Sequence, residues 1–203
     1  MKNVMWKGQL QGNIHLDTIT PKLHLYGMGP VEYLTGEILV FDGRSYQSSV
    51  ISDTTMRVNE SFNLKAPFFA HSYIQKWTEL PMPDTIQNLK QLQGFLLSLN
   101  FNAGQPYFFR LQGEVPKADI HIVNLPAGST VSNPEEAHKG KKTFGIASKR
   151  CDILGFFSTA HQGIFTHKNS FLHLHLITSD RKKMGHVDEL TLSSRSMKLF
   201  LPK

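Results

Sequence analysis

The sequence FLHLHLITSDRKKMGHV, residues Phe171–Val187, contains three of the chain's ten histidines and decides the fold prediction. Its first seven residues alternate as in a β-strand, so His173 and His175 share one face while leucines occupy the other. The polar run Thr178–Gly185 has no apolar periodicity and predicts a turn, after which His186 opens a second strand. If the two strands pair as a hairpin, His186 can lie opposite His175, with His173 a diagonal step away.

Three imidazoles that converge from one hairpin, with no cysteine nearby, are typical ligands of zinc or a similar divalent ion. Three protein ligands leave one coordination position open, which distinguishes catalytic zinc sites from structural ones. A surface strand that happens to be rich in histidine remains the alternative. The sequence therefore predicts His173, His175 and His186 as candidate ligands of Zn²⁺.

The composition is that of a globular protein. The chain has 203 residues, of which 40% are hydrophobic and 19% charged, enough for one sizeable domain or two small ones. Its longest apolar runs are only a few residues, so we expect no membrane span. The single cysteine, Cys151, excludes an intramolecular disulfide. One cysteine fits a reducing compartment, and the N-terminal residues do not resemble a secretory signal. Together these two observations predict a cytoplasmic protein.

The positive charge of the chain restricts its partners. A formal net charge of +6 and a pI near 9.4 favour anionic partners, either nucleic acid or a small carboxylate. Basic residues cluster at His138–Lys142 and Arg181–Lys183, but neither cluster alternates with aromatic residues or forms a recognisable nucleic-acid motif. We interpret both as solvated loops and expect a small-molecule partner, with no nucleic acid and no membrane; a homodimer is compatible with the sequence.

The clearest hairpin lies in the first quarter of the chain. Glu37–Phe41 is predicted as a strand, Asp42-Gly43 as a type I′ turn and Arg44–Gln47 as the returning strand. Alternation puts Glu37 on the same face as two large apolar side chains. A carboxylate there lies at a sheet edge, in solvent, or in a pocket where it has a chemical role. Glu37 is therefore a candidate catalytic residue.

One segment has the periodicity of an amphipathic helix. Between Asp84 and Leu99 apolar residues recur every three or four positions, and Asp84 with Gln87 matches a capping box. The other periodic segments are typical of strands, with 127–142 as a linker that contains a helical turn at Pro134–His138. The sequence therefore predicts an α+β fold of mostly antiparallel β-sheets with one main helix, 84–99.

Glycine and proline divide the predicted strands of the central region. Tyr107–Leu111 and Ala118–Val123 are predicted as separate strands joined around Gly113–Pro116. In the second of these, His121 points away from the isoleucines on either side of it.

Two stretches resemble the α-acetolactate decarboxylase family: LTGEILVFDGRSYQ at Leu34–Gln47 and HLHLITSDRKKMGHV at His173–Val187. The family carries a DGE-then-strand-then-DG segment early and an HxHF…DR…GGHV segment late. Three intervening stretches follow in the same order as their family counterparts, at Pro67–Trp77, Pro106–Gly113 and Asp152–Ile164. The resemblance covers nearly the whole chain and is most specific in the late motif.

This resemblance implies a single domain, residues 1–203, with two related β-rich halves at about 1–126 and 143–203 that are joined by 127–142. It also implies a zinc ion and decarboxylation of 2-acetolactate, or a similar 2-hydroxy-3-keto acid, to acetoin. Loss of carbon dioxide leaves an enediolate, whose negative charge the cation stabilises.

The resemblance also assigns residues. His173, His175 and His186 match the family's zinc ligands, and Glu37 matches its early catalytic glutamate. Glu37 is then a candidate for proton transfer to or from the reacting carbon.

The sequence departs from the family pattern at two catalytic positions. The family's arginine falls on His121 when counted from Arg110, and on Ile122 or Val123 when counted back from the late motif. A histidine can donate a proton there but lacks the bidentate fork that suits a carboxylate. The sequence ends at Lys203, so we expect the family's C-terminal catalytic glutamate to have no counterpart here.

These departures predict a lyase that is slow or altered in substrate, or one that has lost its activity. Two alternatives remain open at this stage. One is a zinc hydrolase of a small ester, in which the same three histidines lower the pKa of bound water. The other is a non-catalytic relative that binds a metal or ligand.

Overall fold

The structure is a computed structural model that describes residues 2–166 and 169–203. Strands dominate this part of the chain. In order they are β1 Ile14–His15, β2 Leu25–Pro30, β3 Glu37–Phe41, β4 Arg44–Val50, β5 Met56–Glu60, β6 Lys65–Ala66, β7 Ala70–Tyr73, β8 Trp77–Leu80, β9 Tyr107–Ile122, β10 Lys142–Phe157, β11 Leu172–Thr178, β12 Met184–Thr191 and β13 Met197–Pro202. The helices are α1 Lys2–Lys7, α2 Leu89–Ser98 and α3 Pro134–Ala137, with 3₁₀ turns at Leu16–Thr18, Glu32–Leu34 and Phe101–Gly104.

The strands form antiparallel sheets, which confirms the predicted α+β class. One sheet has five strands in the order β5-β4-β3-β2-β7, and a second has six in the order β10-β11-β12-β9-β13-β8. Strand β9 pairs with β10 as well, and β1 pairs with β6. The predicted hairpin of the late motif is present, because β11 and β12 are neighbours in the six-stranded sheet.

The described chain divides into two compact units whose segments interleave along the sequence. The first contains the described residues up to Tyr73 with His121–Phe144 and Arg181–Gly185; the second contains Ile74–Ile120, Gly145–Asp180 and His186–Lys203. The division into two related halves, 1–126 and 143–203, stays a prediction.

The turn between β3 and β4 confirms the predicted type I′ geometry. Asp42 and Gly43 both have positive φ, 49° and 76°, as this turn requires. A Cβ atom on Gly43 would lie 2.4 Å from the carbonyl oxygen of Lys22, so glycine is needed for packing as well as for the turn. The resulting register places Glu37 opposite Ser48.

Helix α2 is the main helix, but it begins five residues later than predicted. Its N-cap is Asn88, whose side chain accepts a hydrogen bond from the Gln91 backbone N–H, at 3.0 Å. Asp84 is not the cap, because it lies in a turn that the Ile86 N–H closes onto the Pro83 carbonyl. The Gln87 carbonyl then accepts the Leu192 N–H, and Asn88 pairs with Thr191 of β12 before the helix begins. No helix in the described residues is long and apolar enough to cross a membrane.

The predicted break at Gly113–Pro116 is wrong, because β9 runs through it without interruption. Gly113 has a φ of 145°, and a Cβ atom there would lie 2.0 Å from the Ser196 carbonyl oxygen. The glycine therefore permits the close approach of the segment before β13 rather than a turn. The predicted helical turn at Pro134–His138 is confirmed by α3, which Asn133 caps.

Candidate metal centre

Three histidines from the neighbouring strands β11 and β12 converge in the second unit. The ring centroids of His173 and His186 are 4.6 Å apart, those of His173 and His175 are 5.1 Å apart, and those of His175 and His186 are 5.5 Å apart. One ring nitrogen from each lies within 4.8 Å of the other two. The structure therefore brings together the three residues that the sequence singled out, in an arrangement that could hold a metal ion.

The nitrogen positions fit a small divalent ion. Nε2 of His173 lies 3.2 Å from Nε2 of His175. Two nitrogens that each lie about 2.0–2.1 Å from one tetrahedral ion are about 3.3 Å apart, so the observed separation matches shared coordination. Imidazole ligands suit zinc, copper, iron and nickel, and three of them leave a tetrahedral ion one open position.

The orientation of His173 is set by a backbone group. Its Nδ1 lies 2.6 Å from the carbonyl oxygen of Phe165, which can only accept a hydrogen bond. The proton of the neutral imidazole is therefore held on Nδ1, and the lone pair of Nε2 is directed towards His175. The Phe165 ring also stacks on the His173 ring, at 4.7 Å between centroids and 28° between planes. Such support of a ligand histidine is typical of metal sites.

The three histidines are buried among apolar side chains. His175 is fully buried and His173 and His186 are each 8% exposed, which excludes the solvent-facing strand that the sequence left open. On the adjacent strand β10, Leu154 is the register partner of His175 and Phe156 that of His173. An apolar wall of this kind lowers the local dielectric and strengthens electrostatic interactions within the site.

Glu37, the first candidate catalytic residue, lies on β3 in the first unit and is only 4% exposed. Its Oε1 accepts a hydrogen bond from the Val123 backbone N–H, at 3.2 Å. The carboxyl group is therefore held inside the unit rather than at a solvated strand edge, which removes one of the alternatives that the sequence left open.

His121, the second candidate, lies near the end of β9 and is 3% exposed. Its ring meets the edge of the His138 ring, with 6.0 Å between centroids. Nδ1 of His138 lies 2.6 Å from the Pro134 carbonyl oxygen. The Val123 N–H, which donates to Glu37, lies two residues after His121. One segment therefore connects the two candidate catalytic residues.

Sequence reasoning missed Phe165 and His138, which contact the candidate residues. His138 was interpreted as part of a solvated basic loop, and Phe165 lies in a stretch without periodicity. The asparagine at 133 followed by Pro134 was a local signal for the helical turn that presents His138. No local pattern indicates Phe165, because it acts through its backbone carbonyl and its ring, and both contact His173, eight residues later.

Comparison with known proteins assigns the family. The family model described as alpha-acetolactate decarboxylase matches residues 1–200. The chain belongs to the alpha-acetolactate decarboxylase family. This is a family of carboxy-lyases that act on a small molecule. The alpha-acetolactate decarboxylase of Bacillus subtilis strain 168 is 29% identical over 192 residues, which cover 91% of this chain and 69% of that protein.

Solved structures agree with this chain in fold. The crystal structure of alpha-acetolactate decarboxylase from Bacillus subtilis strain 168 has a TM-score of 0.79 and 24% sequence identity, covering 100% of this chain and 82% of that one. A Staphylococcus aureus protein of unknown function, described as similar to alpha-acetolactate decarboxylase, has a TM-score of 0.75 and 14% identity, covering 95% and 78%. The fold of the family therefore extends along nearly the whole chain.

Proposed function

We propose that this protein is a zinc-dependent carboxy-lyase that converts 2-acetolactate, or a similar 2-hydroxy-3-keto acid, to acetoin. The observation that carries the proposal is the buried cluster of His173, His175 and His186, with two Nε2 atoms 3.2 Å apart, in a chain of the alpha-acetolactate decarboxylase family. The three imidazoles match the donor set of catalytic zinc sites, which keep one position open for substrate.

His173, His175 and His186 would hold a divalent cation, which when bound would supply Lewis-acid stabilisation of the negative charge that develops on the substrate as carbon dioxide leaves. The protein contributes the ligand geometry and the surroundings. Leu154 and Phe156 shield the histidines from water, and the Phe165 carbonyl fixes the ring of His173. We expect no organic cofactor, because the cation would take the role of the electron sink that such a cofactor provides in other decarboxylases.

We assign proton transfer to Glu37, with His121 as a second proton donor. A carboxyl group held by the Val123 N–H and excluded from water is restricted to few orientations, as a general acid or base requires. His121 stands at or next to the position of the family's arginine and is buried in the same unit. Its imidazole can act as a proton donor, although it lacks the two parallel N–H groups with which arginine binds a carboxylate.

The test is conversion of racemic 2-acetolactate by the zinc-loaded protein, with acetoin measured against the spontaneous rate. We expect acetoin formation that the His186→Ala variant loses and that the His15→Ala variant retains, because His15 is exposed on β1 and remote in sequence from the cluster. Acetoin formation at no more than the spontaneous rate, in protein that contains stoichiometric zinc, would exclude the proposed reaction.

A further inference from the structure

We propose that Ser158, His161 and Thr166 form a positioning loop that orients His173 for metal binding without contacting the metal. The positioning loop is defined here as Ser158–Thr166, which follows β10 and precedes β11. This inference rests on the proposed function, since it concerns the same metal site, and it adds three residues that no sequence motif indicates.

The loop acts through Phe165. The Phe165 carbonyl accepts the Nδ1–H of His173 at 2.6 Å, and the Phe165 ring stacks on the imidazole. The Phe165 ring also packs edge-to-face against the Phe156 ring, with 4.9 Å between centroids, and this contact helps to hold Phe165 in place. A shift of this one residue would therefore turn the His173 ring and move its Nε2 away from His175.

Phe165 is held by a tight turn centred on the His161 carbonyl oxygen. The backbone N–H groups of Ile164 and Phe165 each donate to this oxygen at 2.9 Å, and that of Thr166 donates at 3.2 Å. The Gly163 N–H donates back to the Thr166 carbonyl at 3.1 Å, and Gly163 has the positive φ of 68° that the turn needs. The direction of the Phe165 carbonyl thus follows from the position of His161.

Two buried hydroxyl groups anchor this turn. Ser158 is 1% exposed, its Oγ lies 2.8 Å from Nδ1 of His161, and the same oxygen accepts the Ala160 N–H at 3.2 Å. Thr166 is 3% exposed, and its hydroxyl lies 2.7 Å from the Ser170 carbonyl and 3.3 Å from the His161 carbonyl. Ser158 therefore fixes the start of the loop and Thr166 its end.

Removal of either hydroxyl should loosen the turn and weaken metal binding. Groups that orient a ligand histidine typically change metal affinity by about 10–100-fold when they are lost. Ser158, His161 and Thr166 are accordingly positioning residues, and they act on the metal through Phe165 and His173.

The experiment titrates Co²⁺ into metal-free protein and follows the visible absorption of the bound ion. We expect Thr166→Val to weaken Co²⁺ binding by about 10-fold or more and to alter the band shape, and Ser158→Ala to act in the same direction. Thr166→Ser, which keeps the hydroxyl, should restore both. Thr178→Val is the matched control, because Thr178 is a buried threonine at the other end of β11 whose hydroxyl bonds Asp180.

Equal Co²⁺ affinity in wild type and folded Thr166→Val would overturn the inference while leaving the metal site intact. Equal weakening by Thr178→Val would also overturn it, since a general loss of stability would then be the cause. The ¹⁵N resonances of His173 in the metal-free wild type give a second test that needs no variant to fold: a proton on Nδ1 is expected, and a proton on Nε2 contradicts it. Wild-type protein that binds no Co²⁺ would overturn the proposed function and this inference together.

Discussion

Nε2 of His173 lies 3.2 Å from Nε2 of His175, inside a buried cluster that His186 completes. Neutral imidazoles each carry one proton, and the proton of His173 is held on Nδ1 by the Phe165 carbonyl. The lone pair of Nε2 on His173 is therefore available to an ion. The first prediction follows from this pair.

His175→Ala should reduce the bound metal from about one ion per chain to almost none. The variant removes a fully buried candidate ligand and leaves two imidazoles, too few protein ligands to hold zinc tightly. Metal content after purification, measured by mass spectrometry, decides the outcome, with His15→Ala as a control for an exposed histidine. Full metal content in His175→Ala would show that the ion binds elsewhere.

Glu37→Gln should lower the rate of acetoin formation by about 10²–10⁴-fold while metal content stays at the wild-type level. The amide keeps the size of the side chain and can still accept the Val123 N–H, but it cannot carry a proton at neutral pH. Glu79→Gln is the control, because Glu79 is an exposed carboxylate paired with Lys198. A Glu37→Gln variant with wild-type kcat would remove Glu37 from the proposed proton transfer.

His121→Gln should slow the reaction by about 10²-fold, because the side chain can no longer donate a proton. His121→Arg restores the residue type of the family at or near this position and should retain more activity than the glutamine variant. The comparison of kcat among the three proteins separates proton transfer from hydrogen bonding, because histidine, glutamine and arginine all keep an N–H that can donate a hydrogen bond. Activity of His121→Gln equal to wild type would exclude His121 as the proton donor.

Asn88→Ala should lower the free energy of unfolding by about 0.5–2 kcal/mol, since it removes the N-cap of α2. Asp84→Ala should cost less, because Asp84 is exposed and bonds Ser194 rather than the helix backbone. Urea denaturation of both variants measures the difference. The reverse order would restore Asp84 as the cap.

Cys151 should be unreactive towards thiol reagents in the folded protein at pH 8. Burial, reinforced by the negative charges of Asp152 and Asp180, raises the pKa of this thiol to about 12. A pKa raised above the ambient pH keeps the group protonated, so that roughly one molecule in 10⁴ carries the reactive thiolate at pH 8. Labelling with a chromogenic disulfide should become complete only after unfolding in urea. Rapid labelling of the native protein would contradict the burial of Cys151.

Several parts of the fold and the site follow from local sequence alone. Alternation placed His173 and His175 on one face, and the turn residues before His186 predicted the hairpin that brings it alongside. Asp42-Gly43 predicted the turn of the β3–β4 hairpin, whose register places Glu37 opposite Ser48. These features depend on residues close together in sequence, where side-chain periodicity and turn geometry leave few choices.

Other features required the tertiary structure. Glycine at 113 predicted a turn, but it serves the approach of a carbonyl from residue 196 in an unbroken strand. Asp84 matched a capping box, but the segment after it is drawn into pairing with residues near Thr191, and Asn88 becomes the cap. Local propensity was overridden in both cases by hydrogen bonds to distant residues.

The sequence by itself determined the family, the antiparallel α+β class and the identity of the three candidate ligands, because residue types and short spacings carry that information. Only the tertiary structure decided that these three histidines are buried, that the Phe165 carbonyl bonds His173, and that the Val123 backbone N–H bonds Glu37. Burial and backbone hydrogen bonds depend on which segments meet in space, and a carbonyl oxygen is present at every residue whatever its side chain.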